Sequence, residues 1–534
     1  MSNNRFCAML DMSRNGVMLP EKVKEYIDIL AKMGYNALML YTEDTYEVAG
    51  EPLFGYLRGA YTAAEIKDID RYAQEKGIEL IPCIQTLAHL NCIFRWKEYR
   101  QINDLDDILL IGAERTYQLI ENMFLTLQKN FTSRTVLIGM DEAHLVGRGK
   151  FADANGFLNR FEIMCEHLKK VSAIAERYGF ETLMWSDMLL RLVNGGAYYG
   201  EHPVPAEVAK NIPRNVSPVY WDYYHVKECE YDKYFDLHQN LSNVWFAGGT
   251  GSWYGFVPNL QLSLAATEAS MRVCKKRRVN NVIMTVWGDN GRECSCFTAL
   301  PILYYAIEIY HGHEDMNEIK KGFYEITGEN FDDFLLLEYP NFCSRQNTIR
   351  DNPSKYMFYN DPFFGLFDAN VKGNEKEFYE KGTRLLGKAG KRSRSFRYIY
   401  DYEKSLCSAL ALKAALGAKT REYYLQNDLQ KLSELIGEYE TAVRRIKVFM
   451  KSLEKLWETE NKANGLEVQH IRIGGLIERL IYCKNRIGRY INGEIDKIPE
   501  LETERIDAYG LKDKTASGFA YFNSWKSNAS VNNL

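Results

Sequence analysis

A closed α/β barrel followed by a mainly helical C-terminal region is the fold this 534-residue sequence predicts, on three observations. Short apolar runs alternate with amphipathic segments over about the first 310 residues. The apolar runs are nearly continuous, which marks parallel strands covered on both faces. Eight such repeats occur, the number that closes a (β/α)8, or TIM, barrel. An open doubly wound sheet is the competing arrangement.

In chain order the strands are expected at 6–12 (FCAMLDM), 37–42 (ALMLYT), 78–84 (IELIPCI) and 135–140 (TVLIGM). The second four are 182–187 (TLMWSD), 216–222 (VSPVYWD), 243–249 (NVWFAGG) and 281–288 (NVIMTVWG). Helical patterns lie between them near 20–33, 62–76, 110–130, 155–179, 227–241 and 259–278, with another at 297–311. The segment after the fifth strand carries no clear period. The barrel is assigned to 1–312. From 313 to 511 the chain reads as an α-helical domain, with runs at 375–416, 417–458 and 466–492 rich in Lys, Glu, Leu, Ala and Arg at helical spacing. That domain is expected to pack on the barrel or to form the surface of a homodimer. The stretch 512–534 is Ser-, Asn- and Lys-rich without period and reads as a loose tail.

Composition excludes several classes of partner. The formal net charge is -4, which gives no reason to expect nucleic acid or an anionic membrane. No apolar stretch reaches the roughly 20 residues that span a bilayer. The first residues, MSNNRFCAMLDMSRN, lack a basic region followed by an apolar run, so no signal peptide is expected. The 11 cysteines are scattered without a CxxC pair, which fits reduced thiols in a cytoplasmic protein and no metal site or cofactor. Aromatic residues reach 13%, with 36 Tyr and 8 Trp, and flat rings pack well against the axial C–H bonds of sugars.

In such a barrel the site lies at the C-terminal ends of the strands. The first strand delivers Asp11 and Arg14, the second Glu43 and Asp44, and the third leads to His89. The fourth delivers Asp141 and Glu142, then His144. Trp185 and Asp187 follow the fifth, and Trp221, Asp222 and Tyr223 the sixth. Trp253 and Tyr254 follow the seventh, and Trp287 and Asp289 the eighth. Taken singly, each has a plain structural explanation. A carboxylate after a strand is often a helix cap, as for Asp44 or Asp187; Asp11 and Arg14 make an ion pair, and His89 a core histidine. Helix caps do not require three or four tryptophans on the same rim, and that convergence points to a carbohydrate site.

Asp141 and Glu142 form the catalytic candidate. Most glycosidases set two carboxylates on different strands, roughly 5 to 9 Å apart, across the scissile bond. Neighbours on a strand point to opposite faces, so an adjacent pair suits a different scheme. In that scheme Glu142 would protonate the glycosidic oxygen, Asp141 would hold another group such as the N–H of a 2-acetamido substituent, and the acetamido oxygen would attack the anomeric carbon. Close carboxylates disfavour double ionisation. Glu142, expected among apolar and Trp walls, then serves as acid, and Asp141 stays charged to stabilise the oxazolinium cation.

Over roughly residues 5–312 the sequence resembles the family-20 glycoside hydrolases, the β-N-acetylhexosaminidases. LIGMDEAH looks like that family's Asp–Glu signature on the fourth strand. LDMSRN resembles the segment ending in the sugar-binding arginine, which implies that Arg14 grips hydroxyls O3 and O4. YTEDTY resembles the acidic pair beside it, Glu43 and Asp44. His89 falls at the family's third-strand histidine. SWYG implies that Tyr254 hydrogen-bonds the acetamido carbonyl, and TVWGDN that Trp287 walls the pocket and Asp289 binds O4 or O6. Trp185 and Trp221 would complete the cage, with Trp253 beside them. The family implies a glycan with a terminal N-acetylhexosamine, GlcNAc or GalNAc, as partner.

The sequence departs from the family at several points. Ile138, Gly139 and Met140 stand where a His-x-Gly-Gly run is usual, and Thr86, Leu87 and Ala88 where Asp and Pro-Gly are frequent. The last acid is more often Glu than Asp, and many members carry an α/β domain ahead of the barrel. A divergent branch is implied. Two other readings stay open: a retaining glycosidase with a protein nucleophile such as Asp289, and a carbohydrate-binding barrel without turnover.

Overall fold

The computed structural model describes residues 4–289, 291–344 and 351–506. Eight parallel strands close a barrel: β1 (Arg5–Asp11), β2 (Ala37–Tyr41), β3 (Glu79–Cys83), β4 (Thr135–Leu137), β5 (Glu181–Trp185), β6 (Val216–Trp221), β7 (Trp245–Gly249) and β8 (Asn281–Val286). Each strand pairs with its neighbours in sequence, and β1 closes on β8 from Arg5 opposite Asn281 to Leu10 opposite Val286. All eight expected strands are present and the open-sheet alternative is excluded.

The near-continuous apolar runs have two destinations. Cys7, Met9, Met39, Ile81, Cys83, Leu183, Val219 and Ile283 fill the barrel interior. Their neighbours Phe6, Ala8, Leu38, Leu40, Leu80 and Val282 face the surrounding helices. This is the period-two alternation of a strand with both faces buried. The interior stack ends at the C-terminal rim in Tyr41 and Trp185, with Trp221 and Trp287 packed against it. The barrel core therefore becomes the floor of whatever binds above it.

The main outer helices are α1 (Pro20–Met33), α2 (Ala63–Glu75), α3 (Glu114–Asn130), α4 (Arg160–Arg177), α5 (Asp187–Val193), α6 (Glu228–Leu237), α7 (Leu260–Arg277) and α8 (Leu300–His311). The pattern at 155–179 holds one long helix from Arg160, started by the Asn159 side chain accepting the Phe161 N–H.

The C-terminal region is helical, with different breaks from those expected. α9 (Glu375–Arg392) ends before Ser393, α10 (Arg397–Leu425) runs unbroken across 416 and 417, and α11 (Leu429–Glu460) and α12 (Leu466–Ile491) follow. Residues 393–396 and 426–428 make the interruptions that the sequence did not place, and the Asp428 side chain starts α11 by accepting the Lys431 N–H. The expected tail at 512–534 lies outside the described residues. No described helix is long and apolar enough to cross a membrane.

The helical region holds the barrel's rim at two loops. After β1, Asn15 Nδ2 donates to the Gly465 carbonyl at 2.6 Å, and the Lys462 N–H to the Val17 carbonyl at 2.7 Å. After β8, the buried Glu293 carboxylate is bound by Lys355 at 2.6 Å and Arg472 at 2.7 Å. These are the loops that carry Arg14 and Asp289.

Candidate active site

The rim surrounds a pocket that opens to solvent. Arg14, Asp141, Glu142, Trp185, Trp221, Tyr223, Tyr224, Trp253, Trp287 and Asp289 line it. Nine of these ten, all but Tyr224, stand among the rim residues named from the sequence.

The acidic pair owes its geometry to an irregular chain end. β4 stops at Leu137, three residues before the expected end, because Gly139, Met140 and Glu142 all adopt left-handed backbone, with φ of 74°, 68° and 50°. Such conformations cost on the order of 1–3 kcal/mol per non-glycine residue and persist only where surroundings enforce them. Here Gln85 enforces those at 139 and 140. Its Oε1 accepts the Met140 N–H at 3.3 Å and its Nε2 donates to Asp141 Oδ1 at 2.8 Å and to the Tyr41 hydroxyl at 2.9 Å. A Cβ at position 139 would lie 2.0 Å from that Oε1, so only glycine admits the clamp. Because the two acids stand beyond the strand, the alternation that should separate them does not apply, and both face the pocket.

Their surroundings differ. Asp141 is buried and its Oδ2 lies 3.2 Å from His89 Nε2. Burial alone would raise its pKa, but the facing His89 charge and the Gln85 hydrogen bond outweigh that and hold the carboxyl below its usual range. Conversely, burial would lower His89, yet Asp141 opposite lifts it to about 9. The two form an ion pair at neutral pH. An NMR titration of the His89 ring should therefore show a midpoint near 9; one at or below the ordinary 6.5 would contradict the pair. Since the folded value lies above the unfolded one, the histidine's contribution to stability is complete below about pH 6.5 and is lost as pH climbs through 9. Glu142, by contrast, has a side chain 44% exposed. The expected enclosure by apolar and Trp walls is absent, because the residue stands at the pocket mouth.

On the opposite side Arg14 Nη1 meets Asp289 Oδ1 at 3.2 Å, while its Nε donates to Glu43 Oε1 at 2.9 Å. Enclosure pushes the Asp289 carboxyl up to about 6 against the pull of Arg14. Trp185 and Trp287 sit 6.1 Å apart, and Trp221 stacks on Tyr223 at 5.2 Å. Gly249 permits the close approach of the last wall: a Cβ there would lie 2.7 Å from the Trp253 ring and 2.8 Å from Tyr223.

Four expected positions are outside the pocket lining. Glu43 and His89 stand directly behind it, on Arg14 and Asp141. Asp44 points away, as its carboxylate is buried against Arg58 Nε at 3.3 Å, and Arg58 also holds the Ser13 carbonyl next to Arg14. Tyr254 is the clearest correction. The short turn Ser252–Tyr254 directs Trp253 inward and packs Tyr254 behind it, with the Tyr254 carbonyl bound by Asn352. The tyrosine on the pocket wall is Tyr223, from the end of β6. Burial raises its pKa, keeping the phenol protonated as a donor. Sequence reasoning singled out neither Gln85 nor Tyr224; the signal for Gln85 was a polar side chain directly after β3. Among the described residues no group of three or more His, Cys, Asp or Glu is placed to hold a metal ion.

A barrel whose rim joins an acidic pair to an arginine–aspartate clamp and an aromatic cage is the arrangement of a sugar-cleaving enzyme, and the relatives agree. A family model described as the Glycosyl hydrolase family 20 catalytic domain matches residues 7–222, and one described as the Glycoside Hydrolase 20C C-terminal domain matches 332–520. The protein is a glycoside hydrolase. It belongs to glycosyl hydrolase family 20. Hexosaminidase D of Bos taurus is 25% identical over 256 residues, covering 43% of this chain and 70% of that protein. Hexosaminidase D of Homo sapiens is also 25% identical, over 38% of this chain and only 42% of its own length. Among solved structures, the β-N-acetylhexosaminidase of Streptomyces coelicolor A3(2) shares 19% identity at a TM-score of 0.45, covering 60% of this chain and 69% of that one. The exo β-N-acetylglucosaminidase of Vibrio harveyi shares 15% at the same score, covering 61% and 58%.

Proposed function

We propose that the protein is an exo-acting β-N-acetylhexosaminidase that removes terminal β-linked GlcNAc or GalNAc with retention, the substrate's own acetamido group serving as nucleophile. The observation that carries this reading is the adjacent acidic pair, with Asp141 held by His89 and Gln85 and the Glu142 side chain 44% exposed at the mouth.

Arg14 and Asp289 bind the ring hydroxyls, and the tryptophans enclose the ring and the acetamido methyl. Asp141 accepts the acetamido N–H, and the Tyr223 hydroxyl donates to its carbonyl, orienting that oxygen beneath the anomeric carbon. Glu142 gives its proton to the glycosidic oxygen as the C1–O bond breaks and the carbonyl oxygen bonds to C1. The oxazolinium cation is stabilised by the Asp141 charge. Glu142, now a carboxylate, takes a proton from water as that water opens the ring at C1, and two inversions give net retention. Asp289 is a poor rival as nucleophile because Arg14 engages it. A cytoplasmic location completes the proposal, supported by 11 free cysteines, ten of them buried.

The test is a set of p-nitrophenyl glycosides. The β-GlcNAc or β-GalNAc substrate should release nitrophenol, and the β-glucoside should not. Equal cleavage of the glucoside would favour a protein nucleophile. Binding of GlcNAc without turnover would favour a lectin-like role.

A further inference from the structure

β5 leaves the barrel at Trp185 and turns directly into α5, whose sequence DMLLRLV sets Asp187 and Arg191 one helical turn apart on a shared face. Asp187 makes no capping bond to its own helix. Its Oδ2 accepts the main-chain N–H of Glu142 at 3.0 Å and the Nε of Arg191 at 3.2 Å. The side chain is fully buried, and its Oδ1 has no hydrogen-bond partner among the described residues. An isolated buried carboxylate is costly, so its place against Glu142 needs a reason.

Arg191 supplies one. It is only 18% exposed, and its Nη2 lies 3.9 Å from Glu142 Oε1 while its Nε stays on Asp187. Its guanidinium also lies 5.6 Å from the Tyr198 ring, and the Tyr198 hydroxyl bridges the Trp221 main chain in the pocket wall. Glu142 thus has one neighbour gripping its main chain and another, tied to the first, beside its carboxylate. The other charged or titratable groups near it are Asp141, His89, His144 and Asp289. Of these, His89 lies closer to Asp141, at 3.2 Å, than to Glu142, at 3.9 Å.

The geometry points to Asp187 and Arg191 as a positioning pair for the general acid. Asp187 fixes the left-handed main chain from which Glu142 projects, and Arg191 steadies the carboxylate that forms when Glu142 gives up its proton. This assignment rests on the glycosidase reading above. Neither residue lines the pocket, so the pair acts on proton transfer and leaves ring binding alone.

The test compares wild type, Asp187→Ala, Asp187→Asn and Arg191→Met on 2,4-dinitrophenyl and phenyl β-N-acetylglucosaminides. Departure of dinitrophenolate needs little help from an acid, and departure of phenolate needs much. For Asp187→Ala, kcat on the phenyl glycoside should fall roughly 100-fold, and on the dinitrophenyl glycoside less than about tenfold, with KM nearly constant. Asp187→Asn keeps an acceptor for the Glu142 N–H and should fall less. Arg191→Met, at the rim, should show the same selectivity on a smaller scale, and Arg191→Lys should restore part of it. Equal losses on both substrates, or a change confined to KM, would overturn the assignment, and Arg191→Met decides it should the Asp187 variants fail to fold. If wild type cleaves neither substrate, the glycosidase reading fails, and the pair with it.

Discussion

Glu142→Gln is expected to lose roughly 10²–10⁴-fold in kcat/KM on glycosides with poor leaving groups, and far less on 2,4-dinitrophenyl glycosides. Glutamine keeps the size and the main-chain bond to Asp187 but has no proton to give. The loss should therefore follow the basicity of the leaving oxygen, a dependence that a misfolded protein would not show. The 44% exposure of the side chain sharpens this expectation. A residue so lightly packed contributes little to the core, so the thermal midpoint should barely move. Steady-state kinetics on the two leaving groups, beside a melting curve, checks both halves. A uniform loss, or none, would remove Glu142 from the role of acid.

Asp141→Asn should cost about 10²–10³-fold, and on both kinds of leaving group alike. Its charge faces the cation that forms at the sugar, so removing it raises the barrier to ring closure whatever departs. The substitution also leaves His89, buried and 3.2 Å away, without its counter-charge. The His89 pKa should then fall from about 9 toward or below its ordinary value, which the same NMR titration reads. Loss on both substrates together with that fall identifies the Asp141 charge as the cause. A loss confined to the poor leaving group would mean that Asp141 shares the acid's work.

The barrel was legible because burial on both faces writes itself into sequence: runs such as FCAMLD and ALMLY admit few other destinations. The helical region was legible in kind but not in its breaks. Residues 397–425 are periodic across 416 and 417, and the real interruptions at 393–396 and 426–428 have no proline to announce them. At the rim, Arg14, Asp141, Glu142, Trp185, Trp221, Trp287 and Asp289 line one pocket because the strand ends of the barrel set their position. What sequence could not show was direction within a turn. SWYG offers two rings, and the turn after Gly251 sends Trp253 inward and Tyr254 behind it, leaving the wall to Tyr223. Asp44 was lost the same way, to an arginine 14 residues further on. Gln85 reaches Met140 and Asp141, and Arg191 stands beside Glu142, all distant in sequence, and no local pattern announces such contacts.

The central claim is that the bound sugar carries its own nucleophile. It is tested most directly by a series of p-nitrophenyl β-N-acetylglucosaminides in which the acetyl group bears zero, one, two and three fluorines. Each fluorine draws electrons from the carbonyl oxygen that must attack. The account predicts that kcat falls steeply along the series while the p-nitrophenolate leaving group stays the same. A flat series would contradict it and return the search to a carboxylate of the protein.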